Sequence, residues 1–221
     1  MRTYTILILT TLGLLLGPQE ASASETTPVW DDSTRLALAQ CLVAEAGWRN
    51  RTEHSAISHV LLRRWQSIRE TRGAYRFETT IRRYCSVHRV RRPSSRQAWV
   101  RALPWGPLVS DPGMPSVVDW RNYAPAWDHV RETVALFEAG RLTDPLPQAE
   151  HWGGSMDRTP AGGVLLTRTV RSIEDGAQLR LHNRFYRVDR EAARRQRLQR
   201  AAQQEEEQRR GTVAAADIIR S

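Results

Sequence analysis

No lysine occurs among the 221 residues, and all 33 basic side chains are arginine. That absence excludes Schiff-base catalysis, Walker-type phosphate loops and serine–lysine dyads, each of which needs a lysine amine. Cysteine is scarce, with only Cys41 and Cys85, and no C-x-x-C pair exists. His54 and His59 stand at i,i+5, not at the i,i+4 of H-E-x-x-H that sets two imidazoles on one helical face. A catalytic zinc site is therefore not expected, and no metal or other cofactor is assigned. Gly154-Ser155-Met156-Asp157 is not the G-x-S-x-G elbow of a serine hydrolase. Cys85-Ser86-Val87-His88 holds a thiol near an imidazole, but in no recognised catalytic pattern, so Cys85 reads as structural. No internal repeat is visible.

What is present begins with an export signal. Met1-Arg2 precedes an apolar run from Ile6 to Leu16, and Ala21-Ser22-Ala23 supplies a small-residue cleavage site. Residues 1–23 are thus expected to be a secretory signal peptide. The run is too short for an ordinary membrane span, and no cysteine follows the cleavage site to carry a lipid. The chain is placed outside the cytoplasm, in the periplasm, the cell envelope or beyond. In that compartment Cys41 and Cys85 are expected to join as a disulfide, the alternative being two small buried thiols. The net charge of +9 favours an anionic partner. Export points to anionic envelope polymers or a membrane surface and away from nucleic acid.

Residues 24–30 form a small polar linker. Asp31, Asp32 and Ser33 are good caps for a first helix that runs to about Ala46, where Gly47 suits a C-terminal cap. Thr52 is the expected cap of a second helix with Ile57, Val60, Leu61 and Trp65 on its inner stripe. Residues 67–73 read as an irregular, arginine-bearing connection. A third helix is expected over Phe77 to Tyr84 or Cys85, and a short one from Ser94 or Ser95 through Leu103. Four prolines between Pro104 and Pro115 mark a loop. The clearest helical period is Ala126 to Ala139, with Trp127, Val130, Val134 and Phe137 inward; it is expected to be the central core helix. Val164–Val170 and Gln178–Val188 are the two strand candidates, pairing across Glu174-Asp175-Gly176. From Asp189 the composition shifts to Arg, Gln, Glu and Ala with almost no apolar stripe, so residues 189–221 read as a charged helical or disordered tail.

One residue misfits this pattern. Leu38, Cys41 and Leu42 lie at i, i+3 and i+4 of the first helix, and the i+7 position of the same stripe is Glu45. A carboxylate facing a core is costly unless paired or protonated. Either Glu45 reaches solvent or a neighbouring arginine from the last turn, or it has a chemical role. A carboxyl group shielded by apolar neighbours holds its proton to higher pH and can pass it to a leaving glycosidic oxygen. Most glycosidases use a second carboxylate. Glu53, Glu78, Glu150 and Asp157 are the candidates, and no spacing singles one out. A sugar groove also wants aromatic faces and polar groups. His151 and Trp152, with Asn183, Phe185 and Tyr186, are candidates for its wall; core packing is the alternative for each aromatic.

The block LALAQCLVAEAGWRNRTEHSAISHVLLRRW, Leu36 to Trp65, resembles the opening of the spore-cortex-lytic cell-wall hydrolase family. That family opens with an apolar helix ending in Glu-Ala, here Glu45-Ala46, then a polar elbow and a second apolar helix. Its catalytic glutamate falls on Glu45. An asparagine usual near the end of the second helix is replaced by Arg63. The family's Gln-Phe-Ser-like triplet is matched by Tyr84-Cys85-Ser86 at the serine alone. Its His-x-Phe-Tyr-like strand resembles Leu181 to Tyr186, with Asn183 standing where histidine is expected. The resemblance implies a lysozyme-like domain over residues 31–188, α+β and mainly α, with a small C-terminal β-hairpin. Tyr84, Ser86, Asn183 and Tyr186 would then contact substrate. It implies lytic transglycosylation of peptidoglycan glycan strands at the MurNAc–GlcNAc β-1,4 bond, with Glu45 as lone acid and base. A hydrolytic muramidase on the same fold and a catalytically silent wall-binding protein are the alternatives.

Overall fold

The computed structural model describes residues 27–109, 123–153 and 159–220, with side chains as far as residue 209. The segment expected to be a signal peptide and Asp157 lie outside the described residues. The architecture is α+β and mainly α. Helix α1 spans Asp32–Ala46, α2 Arg51–Arg72, α3 Phe77–Tyr84, α4 Ser86–Arg89, α5 Ser95–Ala102 and α6 Ala124–Glu138. Five short strands and a last helix follow. Among the described residues no helix is long and apolar enough to cross a membrane.

Helix α1 is the hub, a place that the sequence pattern assigns to α6. It packs against α2, α3, α4, α5 and α6. Every residue from Ala37 to Val43 is buried. The reason lies in composition. Residues 37–43 are apolar or small all round, as a helix enclosed on every side requires, whereas α6 carries Asp128, Arg131, Glu132 and Glu138 on an outer face. The one polar member, Gln40, has its amide satisfied by the carbonyls of Arg101 and Leu103 at 3.0 and 3.1 Å. Asp31 caps the start by accepting from the Thr34 N–H at 2.7 Å. Gly47, at φ 78°, turns the chain out at the end. Only a residue without Cβ takes that conformation cheaply. Arg35 grips Glu138 with two bonds, at 2.8 and 2.7 Å, and so ties α1 to the end of α6.

Two expectations for α2 are corrected. Its cap is Asn50, whose side chain accepts from the Glu53 N–H at 3.0 Å. Thr52 instead accepts from the Ile173 N–H at 3.0 Å, holding a distant loop. The helix also continues through residues 67–72 and stops at Gly73. Arginine and glutamate are good helix formers and neither Gly nor Pro intervenes, so nothing ends the helix earlier. Arg69 lies over the Trp65 ring at 4.7 Å, an i,i+4 contact that supports the extension. Helices α3 and α5 fall where the sequence places them, α5 with a capping box between Ser94 and Gln97.

The two long strands expected from the sequence are each broken in two. Strands β2 (Gly163–Leu165) and β3 (Thr169–Arg171) come from the first, β4 (Gln178–Arg180) and β5 (Arg184–Val188) from the second. A further strand, β1 (His151–Gly153), has no signal in the sequence. The sheet order is β1-β5-β2, antiparallel, with His151 opposite Tyr186 and Gly163 opposite Val188. Strands β3 and β4 form a separate hairpin. The break before β5 has a chemical cause. The N–H groups of His182 and Asn183 bond to the buried Glu53 carboxylate at 3.0 and 2.5 Å and so are lost to any ladder. Helix α7, Arg190–Arg220, starts against the sheet with Ala193 buried on Gly162. Beyond that contact its described side chains are almost all exposed.

Candidate functional site

Glu45 occupies the last turn of α1, half-buried at the floor of a cleft of about 350 Å³. One turn earlier, Cys41 is bonded to Cys85, with Cα atoms 5.6 Å apart, so the expected disulfide is present. This bond fixes the chain that follows. Ser86, next after Cys85, donates both its N–H, at 2.8 Å, and its hydroxyl, at 2.7 Å, to Glu45 Oε1. From the opposite wall the Trp152 indole N–H reaches Glu45 Oε2 at 3.3 Å. The two oxygens are therefore unlike. Oε1 is held by two good donors, and Oε2 has one long contact and more unused accepting capacity.

The backbone around Glu45 is pinned from behind. The Asn183 amide donates to the Glu45 carbonyl at 2.8 Å. His54, fully buried, bonds through Nε2 to the Gly47 carbonyl at 2.8 Å. A carbonyl can only accept, so Nε2 carries the hydrogen. Nδ1 has no partner, and the ring is neutral. Burial, the largest cause, pulls its pKa down to about 4 from 6.5. A depressed histidine stabilises the fold fully above the unfolded value, and that stability is lost as pH falls from about 6.5 towards 4. The full effect is roughly 3 kcal/mol. Burial also lowers His88, and His129 and His151 shift the same way for the same leading reason. Urea unfolding between pH 7 and 4 is expected to show this loss. The His54→Gln variant, which keeps an amide donor for Gly47, is expected to make the profile shallower over that window, the remaining slope coming from the other lowered histidines.

The other residues singled out from the sequence divide by place. Tyr84, Ser86 and Trp152 line the cleft with Glu45, joined by Arg89, Val90 and Gly153. Asn183 is only 3% exposed and sits behind Glu45 as a clamp, so a substrate contact is not where the structure puts it. Tyr186 is 4% exposed and lines none of the clefts described here, and Phe185 belongs to the core. Both serve the sheet that carries Trp152, since Trp152 pairs with Phe185 and His151 with Tyr186. His151 lies beyond the cleft, lining a neighbouring pocket of about 490 Å³ with Arg64, Tyr84 and Glu150. Its own burial, then the Arg64 charge, lowers its pKa to about 4.

Arg64 is the functional neighbour that the sequence does not announce. Its guanidinium stacks on Tyr84 at 4.2 Å and on Trp152 at 5.4 Å, donates through Nε to the Glu150 carbonyl at 2.8 Å, and contacts His151 Nδ1. It thus braces both aromatic walls of the cleft from outside. Burial lowers its pKa to about 10, so it remains charged at neutral pH. The preceding Arg63 acts elsewhere. It bonds Asp144 and the carbonyls of Ala149 and Leu146, holding the connection that leads into β1.

The second carboxylate sought in the sequence has a clear outcome among the described residues. Glu53 is wholly buried, and its oxygens accept from Asn50, His182 and Asn183. Glu78 is bonded to Ser33, Arg82 and Arg76, with the Ser33 bond the main cause of its lowered pKa. Glu150 faces the neighbouring pocket. None lines the Glu45 cleft. No group of three or more metal-binding side chains exists among the described residues. No family model, curated protein or solved structure matches the chain.

Proposed function

We propose that this protein cleaves the β-1,4 glycan of peptidoglycan as a lytic transglycosylase, with Glu45 as the single acid and base. The reading is supported above all by the asymmetric setting of Glu45 in an aromatic-walled cleft. Ser86 anchors Oε1, Trp152 bears lightly on Oε2, and no other described carboxylate lines the cleft. The lysozyme-like resemblance around Leu36 to Trp65 and the expected export signal supply the substrate class.

The proposed steps are compatible with that geometry. Protonated Oε2 gives its proton to the oxygen leaving C1 of the muramic sugar as the C1–O bond breaks. The developing charge at C1 lies near a carboxylate that is now anionic, which stabilises it. Oε2 then takes the proton of the sugar's own 6-hydroxyl while O6 bonds to C1. The anhydro ring closes, Glu45 regains its proton, and no water enters the product. One residue serves both steps because the nucleophile is already part of the substrate. A base placed to activate water would be superfluous.

Fragment analysis by mass spectrometry tests this reading. Purified protein incubated with peptidoglycan is expected to release fragments with 1,6-anhydromuramic ends, each 18 mass units (roughly one water) lighter than a hydrolytic product. Reducing ends would assign a muramidase instead. Intact polymer that merely carries the protein down on centrifugation would assign a wall-binding protein.

A further inference from the structure

The pocket beside the cleft carries positive charge with little to neutralise it. It is lined by Arg63, Arg64, Arg187 and Arg190, with His151 and a single carboxylate, Glu150. Arg63 is spent on Asp144. Arg64, Arg187 and Arg190 form no ion pair with any described residue, although Asp189 feels the field of Arg187. His151 adds no charge, being neutral at pH 7. Arg187 and Arg190 are exposed, whereas Arg64 is held rigid between Tyr84, Trp152, Glu150 and His151. Glu150 leaves a net surplus of about two charges.

Tyr84 lines both this pocket and the Glu45 cleft, so the two spaces adjoin. A fixed guanidinium backed by two exposed ones suits carboxylates, which arginine binds with paired N–H donors. We infer that this pocket binds the carboxylate-bearing peptide attached to the muramic residue, so that the protein selects glycan strands that still carry their peptides. The inference rests on the proposed reading of the Glu45 cleft. In that reading the peptide branches from the same sugar whose C1 faces Glu45, and the pocket adjoins the cleft at Tyr84. Neutral sugar alone would leave Arg187 and Arg190 without a partner.

Two substrates test it: intact peptidoglycan, and the same glycan stripped of peptide by an amidase with the lactyl carboxylates so freed capped as neutral methylamides. In the Glu45→Gln background, which reads binding without cleavage, the protein is expected to bind intact strands about tenfold more tightly than stripped ones. In the protein with Glu45 in place, the ratio of kcat/KM on the two substrates is expected to be about the same. The Arg187→Gln/Arg190→Gln pair is expected to bring both ratios close to one, with an unfolding midpoint like that of the parent. Equal binding of the two substrates by the parent overturns the inference, as does a weakening in the pair that is the same on both. Inorganic phosphate that weakens binding to intact and stripped strands by the same factor would show that the arginines do not read the peptide and also overturn it. A tenfold binding preference with no cleavage by the unmodified protein would overturn the proposed activity and leave the pocket assignment standing. Cleavage without preference would do the reverse.

Discussion

Replacing Glu45 by Gln is expected to lower glycan cleavage by about 10³-fold or more, equivalent to roughly 4 kcal/mol of transition-state stabilisation. The change is nearly isosteric. The glutamine oxygen still accepts the Ser86 N–H and hydroxyl, so the cleft keeps its shape. What disappears is the proton that the proposed mechanism places on the second oxygen, the one that faces Trp152. Because the proposed mechanism uses the same carboxyl first as acid and then as base, neither half of the reaction is expected to survive. Binding should persist, since the arginines and aromatic walls are unaltered. The measurement is the initial rate of fragment release beside sedimentation with peptidoglycan. Activity within tenfold of the parent would remove Glu45 from the mechanism. The anhydro product makes a further demand. Added azide or acetate should not rescue the variant by standing in for a missing base, because a proton donor is lost as well.

How much of the molecule is legible in its sequence follows from the range of each interaction. Helix α1 and its capping residues follow from local pattern, and so does the suspicion about Glu45: the stripe Leu38, Cys41, Leu42 is a short-range signal. The pairing of Cys41 with Cys85 needs only a count and a compartment. What fails depends on distant partners. Nothing local shows that Asn183 clamps the Glu45 carbonyl across 138 positions, so its place in the stretch that resembles a family strand suggests a contact with substrate. Tyr186 and Phe185 look free of core duties because β1, the strand they pair with, is too short to leave a period. Arg64 and Arg63 cannot be told apart in sequence, since adjacent arginines look alike. Only the folded chain sends Arg63 to Asp144 and Arg64 between Tyr84 and Trp152. The hub is misplaced for a related reason. A helix buried on all sides has no amphipathic contrast, and contrast is what a periodicity search rewards.

Glu53 is where the cost of that blindness is greatest, and it carries the largest expected effect on stability. By residue type it is a candidate for chemistry; by its surroundings it is a structural keystone. The side chain is wholly buried. Asn50 Nδ2 donates to Oε2 at 2.7 Å, the His182 N–H to Oε2 at 3.0 Å and the Asn183 N–H to Oε1 at 2.5 Å. Each donor would otherwise be short of an acceptor, and a stranded buried donor costs about 1–3 kcal/mol. Glu53→Ala leaves three such groups and a void. The expected loss is roughly 4–5 kcal/mol, a large part of the stability of an ordinary domain. Glu53→Gln separates hydrogen bonding from volume. Its amide keeps one acceptor oxygen but sets an NH2 group against a donor in either orientation, so a loss of about 2–3 kcal/mol is expected with packing intact. Urea unfolding at pH 7 checks both values. The consequence reaches Glu45 through a single residue: Asn183 takes its backbone N–H to Glu53 and its side chain to the Glu45 carbonyl. Freed of Glu53, the β4–β5 connection loses its grip on the end of α1. Any folded Glu53→Gln protein should therefore cleave more slowly than its stability loss alone explains. If it retains full activity below its unfolding transition, the coupling between the two glutamates through Asn183 does not exist.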